Sequence, residues 1–123
     1  MSQAMDKPDG LAVFATFYQI KDDGSDVWSD FTSKLEQFQE PKEDIVNFSD
    51  LTLASFIPPE IKKFYRYNGS LTTPDCLESV TWTVFHQPLW IYEDQMSAFR
   101  ALSNDQGQPI FNNFRPLQPL NGR

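Results

Sequence analysis

Five consecutive residues, Ser70-Leu71-Thr72-Thr73-Pro74, are the part of this chain best equipped for chemistry. Pro74 holds its own φ, removes a backbone donor and pushes Thr73 towards extended geometry. Two adjacent threonines in a loop so constrained present hydroxyls that each donate one hydrogen bond and accept others. Such a loop could orient a bound water or an anion. It could equally be an ordinary polar turn between strands, and local chemistry alone favours the turn.

Other reactive side chains are sparse. His86 is the only histidine, placed between an apolar run ending at Phe85 and the breaker Gln87-Pro88. A lone histidine there is read as a surface or packing residue. With Cys76 and a carboxylate it would make three donors, yet their spacing matches no metal motif, so no metal ligand is assigned to this chain. Seventeen acidic against ten basic residues give a net charge of −7, which argues against nucleic acid as a partner. No apolar run approaches the roughly 20 residues of a membrane helix. Met1 to Lys7 lacks a basic stretch followed by an apolar one, so it is not read as a signal peptide.

The elements that must position the loop are legible in part. Hydrophobic content of 40%, with 11 Phe and 3 Trp, requires a core. Leu11 to Ile20 is apolar at both parities and predicts one strand covered on both faces. Val27, Phe31, Leu35 and Phe38 form the stripe of an amphipathic helix ending at Glu40, before Pro41. Asn47-Phe48-Ser49-Asp50 and Pro58-Pro59 predict loop and extended chain. Val80 to Phe85 is β-branched and aromatic and predicts a strand ending near Pro88. Asp94 to Leu102 predicts a short helix burying Met96, Phe99 and Leu102, closed by Asn104-Asp105-Gln106-Gly107. Nothing marks a linker, so residues 1–123 are taken as one unit.

The run Tyr67-x-Gly69-Ser70-Leu71-Thr72-Thr73-Pro74-x-Cys76, followed by Val80-Thr81-Trp82-Thr83-Val84-Phe85, closely resembles the α-class carbonic anhydrases. Three further segments match in order: Lys7 to Val13, Gln95-Met96 with Phe99-Arg100, and Asn113 to Leu120. The resemblance implies a mainly β (α+β) fold, a twisted, mostly antiparallel sheet with short peripheral helices. This chain would be the C-terminal part of that domain. It implies reversible hydration of carbon dioxide to bicarbonate by a zinc-bound hydroxide, with sulfonamide-type inhibitors as further ligands. Thr72 matches the threonine that orients the hydroxide, and Thr73 a neighbour that contacts bicarbonate. Val13, Leu71, Val80 and Trp82 match the apolar wall of the carbon dioxide pocket, residues that would be core in any such sheet.

The family's three zinc-binding histidines lie on strands that would precede Lys7, so this chain is expected to bind no zinc and to be inactive alone. A carbonic anhydrase-like binding module that has lost catalysis is the alternative. Cys76 matches a cysteine that pairs, in secreted and membrane-anchored relatives, with one near the domain's N-terminus. Otherwise it is a small buried thiol. The pairing would place the full-length protein outside the cell, whereas a chain complete as given would be cytoplasmic. Asn47-Phe48-Ser49 and Asn68-Gly69-Ser70 fit the N-glycosylation sequon, the second inside the active-site motif, where a glycan would be awkward. Two departures from the family stand out. Asp75 replaces a common second proline, which should loosen the loop, and Tyr92 replaces a small helix-capping residue.

Overall fold

The computed structural model describes residues 7–22, 26–35 and 52–122. The chain forms two compact units, each assembled from separated stretches. The first takes residues up to Phe17, Pro59–Gln87 and the segment from Phe114 onward; the second takes Tyr18–Pro58 and Pro88–Asn113.

The first unit is a three-stranded mixed sheet of β1 (Leu11–Ala15), β3 (Phe64–Gly69) and β4 (Val80–Phe85), in the order β1-β4-β3. β4 is central because it is the strand richest in β-branched and aromatic residues, able to pack on both faces. Val80 and Phe85 are its most buried apolar side chains, 1% and 4% exposed. β1 runs parallel to β4, with Val13 opposite Trp82, and β3 runs antiparallel to it, with Tyr67 opposite Trp82. Phe14 stacks on Phe85 on one face of the sheet, ring centroids 6.2 Å apart. On that same face Arg66 donates to the Thr83 hydroxyl, and the Thr81 hydroxyl donates to Asp9.

The second unit pairs β2 (Tyr18–Ile20) in parallel with β5 (Leu89–Ile91) and packs two short helices, α1 (Ser29–Leu35) and α2 (Glu93–Arg100). Trp28, in a 3₁₀ turn of Asp26–Trp28 that leads into α1, is its hub. The indole meets Tyr18, Phe31, Phe56 and Phe99 with centroids between 4.6 and 5.4 Å, three of the four edge-on, the arrangement aromatic quadrupoles prefer. Burial beneath this cluster raises the Tyr18 phenol above its ordinary pKa, and a hydrogen bond with Trp28 partly opposes the rise. Tyr92 starts α2 with help from Gln95, whose buried Oε1 accepts the Tyr92 N–H at 3.1 Å. Half a capping box thus compensates for the absent small cap residue.

The strand-rich fold with short helices is the expected one; where a mostly antiparallel sheet was expected, the three-stranded sheet is mixed, with β1–β4 parallel and β3–β4 antiparallel, and the β2–β5 pair is parallel. The expected single strand over residues 11–20 divides at Thr16-Phe17 into β1 and β2, which join different sheets. Cover on both faces is also missing, with Phe14 61% and Phe17 60% exposed. β1 also lies at a sheet edge among the described residues, paired only with β4. The helix expected up to Glu40 is described through Leu35, while Phe38 and Asn47 to Asp50 lie outside the described residues. The late helix ends at Arg100, leaving Leu102 to a turn. β3 and β5 were not anticipated, and β5 begins immediately after Pro88.

An edge at β1 that is unpaired among the described residues, beside the exposed Phe14, is a template for pairing between chains. The purified chain is therefore expected to self-associate at micromolar concentration. Sedimentation velocity checks this: a single monomeric boundary, with one sharp cooperative unfolding transition, would contradict it.

Candidate functional site

The predicted site lies wholly within the first unit. Strand alternation sends Val80, Trp82 and Val84 of β4 to one face. In the ladder they sit level with Leu11, Val13 and Ala15 on β1, and with Gly69, Tyr67 and Tyr65 on β3. Val13, Val80 and Trp82 therefore share a face. Tyr67 lies flat against Trp82, centroids 6.3 Å apart and planes within 8°.

Gly69 has a specific reason to be glycine. A β-carbon there would stand 2.9 Å from Trp82 Cδ1, closer than a real side chain tolerates, and a tight 3.2 Å from its Nε1. The bare backbone lets the indole lie across β3, where Nε1 donates to the Ser70 carbonyl at 3.0 Å. Ser70, 9% exposed, is thus the point where sheet becomes loop. Its hydroxyl donates to the Leu71 carbonyl at 2.9 Å and accepts a short hydrogen bond from Arg115 Nη1. Arg115 lies 45 residues further on and ties the C-terminal segment to the loop.

The loop itself is closed twice. At its base the Leu71 N–H donates to the Leu77 carbonyl, and at its tip the Cys76 N–H donates to the Thr73 carbonyl, both at 3.0 Å. The tip is a four-residue turn with Pro74 second and Asp75 third, Asp75 at φ 74°. That is the pattern of a type II turn, which favours proline second and needs positive φ third. Proline could not take that φ at position 75. Instead of loosening the loop, Asp75 completes a hydrogen-bonded turn. Thr72 and Thr73 are held exposed between the two closures, with Leu71 and Cys76 half-buried beside them.

Thr72 and Trp82 meet in a cavity of about 360 Å³, whose walls also include Tyr67, Gly69, Ser70 and residues 115–120. Its surface is mostly apolar, and Pro116, Leu117, Pro119 and Leu120 line it together with the aromatic pair. The structure thus joins two of the predicted site residues in one cavity. Leu71, Thr73, Val13 and Val80 do not line it; Val80 is fully covered and Val13 half-buried beside it. Tyr67, Ser70 and Arg115 were missed as site residues. Their signal was present in the matched segments, but a role for Arg115 needs the fold to bring it to Ser70. Cys76 is a free thiol, half-buried at the end of the loop.

The family model of the eukaryotic-type carbonic anhydrases matches residues 1–123. The chain belongs to the carbonic anhydrase family. It is 38% identical to putative carbonic anhydrase 5 of Caenorhabditis elegans, covering 100% of this chain and 40% of the relative. It is 37% identical to carbonic anhydrase 6 of Bos taurus, covering 98% and 38%. Against carbonic anhydrase 7 of Homo sapiens the identity is 38%, covering 98% and 46%. The chain therefore spans less than half the length of these curated carbonic anhydrases.

Carbonic anhydrases of this family generally use zinc, which takes three protein ligands in a catalytic site. Among the described residues no three His, Cys, Asp or Glu side chains converge to hold a metal. The single histidine, His86, is exposed and packs against the Tyr65 ring, centroids 6.1 Å apart. These residues do not fit a zinc ion. No helix among the described residues is long and apolar enough to cross a membrane.

The Gly69 approach gives a direct test. Gly69→Ala should push the Trp82 indole off the Ser70 carbonyl, destabilising the unit by about 1–3 kcal/mol, the usual cost of overpacking. Urea unfolding and tryptophan emission read this out. Unchanged stability and an unshifted spectrum would contradict the close packing.

Proposed function

We propose that this chain supplies the pocket-wall half of a carbonic anhydrase domain whose zinc is held by residues outside it. One observation carries the reading: Thr72 and Trp82 share a cavity at the end of the sheet face that also bears Val13 and Val80. In this reading each group has a physical task. The Thr72 hydroxyl, on a loop tied at base and tip, orients an oxygen nucleophile by accepting a hydrogen bond from it. Thr73 hydrogen-bonds the anionic product, bicarbonate. Trp82 belongs to the dry wall that a nonpolar gas requires, and Val13, Leu71 and Val80, outside the present cavity, would extend that wall in the longer domain. Arg115, Ser70 and the Trp82 indole hold the loop against the sheet.

The substrate pair is carbon dioxide and bicarbonate, with sulfonamide-type inhibitors directed at the same pocket. The rest of the domain, including zinc ligands and any partner for Cys76, belongs to chain outside residues 1–123. A Cys76 disulfide would place that longer protein in an oxidising, extracellular setting.

The purified chain should contain no stoichiometric zinc by atomic emission and should not accelerate carbon dioxide hydration. Stoichiometric zinc with sulfonamide-sensitive hydration would overturn the division of labour. A His-x-His strand encoded upstream of Met1 supports the enzyme reading. Its replacement by residues that cannot bind zinc would favour the non-catalytic binding module.

A further inference from the structure

We propose that Asn68 is an acceptor of an N-linked oligosaccharide, standing on the face of the sheet opposite the cavity. The tripeptide Asn68-Gly69-Ser70 meets the acceptor rule, since neither Gly69 nor the following Leu71 is proline. Its overlap with the site loop suggested that a glycan would be obstructive. The strand geometry removes the objection.

In β3, Tyr67 points towards Trp82 and the cavity, and Gly69 packs under the same indole. Asn68 lies between them, so alternation turns its side chain to the other face. There it is level with Thr81 on β4 and, one strand further, with Ala12 on β1. These neighbours are small, and Ala12, like Asn68 itself, is exposed. On the same face Arg66 is bonded to Thr83 and Asp9 to Thr81, so the groups nearest Asn68 are polar, while Phe14 and Phe85 lie further along the strands. β3 pairs only with β4 among the described residues, so one side of the strand is open as well. A hydrated oligosaccharide there would also shield an edge otherwise prone to strand pairing.

The donor is an oligosaccharide linked through pyrophosphate to a lipid, in the lumen of the secretory pathway. Transfer forms a bond between sugar C1 and Asn68 Nδ2 and breaks the bond from C1 to the pyrophosphate oxygen. The amide gives up one of its two N–H protons, and the lipid pyrophosphate leaves with it. No oxidation or reduction is involved.

The full chain, directed into the secretory lumen of eukaryotic cells by an added leader, tests this. Peptide mapping of wild-type protein should find Asn68 glycosylated, and converted to aspartate when peptide-N-glycosidase F releases the sugar. Asn68→Gln should lose one step of the enzyme-sensitive gel shift, and Asn47→Gln should retain the Asn68 glycan. Because transfer precedes folding, cell-retained protein is as informative as secreted protein. Recovery of the Asn68 peptide entirely unmodified would overturn the proposal, whatever the occupancy of Asn47.

Discussion

The hydrogen bond from the Trp82 indole to the Ser70 carbonyl is the constraint around which the first unit is organised. It needs an absent side chain at Gly69, a flat Tyr67 alongside and a β4 register that sets Trp82 opposite both β1 and β3. It fixes the residue from which the threonine loop departs. Such a bond contributes only about 1 kcal/mol on its own. Its importance is geometric: the same serine collects Arg115, so sheet, loop and C-terminal segment are joined at one nearly buried residue.

Loop rigidity follows from that anchor and from the turn at Pro74-Asp75. A threonine that must orient a small oxygen ligand gains from a backbone with few alternatives, because misplacement by about 1 Å can cost two orders of magnitude in rate. Here the loop base is closed by Leu71 and Leu77, and the tip by Thr73 and Cys76. Both closures are made by residues of this chain.

Much of this was legible in sequence, for identifiable reasons. β4 stood out because six β-branched or aromatic residues in succession leave little choice but strand. The late helix showed its amphipathic spacing, and the motif around Ser70 carried the family. β3 was hidden because Tyr65-Arg66-Tyr67-Asn68 is exposed on both faces and so has no apolar alternation. The break at Thr16-Phe17 was hidden for the opposite reason, since continuous apolar character conceals a change of sheet. Arg115 could not be paired with Ser70 from spacing, because 45 residues of chain separate them. Exposed Phe14, Tyr67 and Leu117 make sense in a chain that spans less than half of its relatives' length.

We propose that this chain contributes the pocket wall of a carbonic anhydrase domain whose metal-binding part lies outside it. The most direct measurement joins this chain, in one polypeptide, to the preceding portion of carbonic anhydrase 7 of Homo sapiens. Zinc content and carbon dioxide hydration are then followed, with Thr72→Ala and Thr72→Ser as variants. The account predicts zinc-dependent hydration that falls about 100-fold in Thr72→Ala, in line with loss of an oriented hydrogen-bond partner at a reacting oxygen, and largely recovers in Thr72→Ser. A zinc-loaded, folded chimera that hydrates no carbon dioxide, or one indifferent to Thr72→Ala, would contradict it.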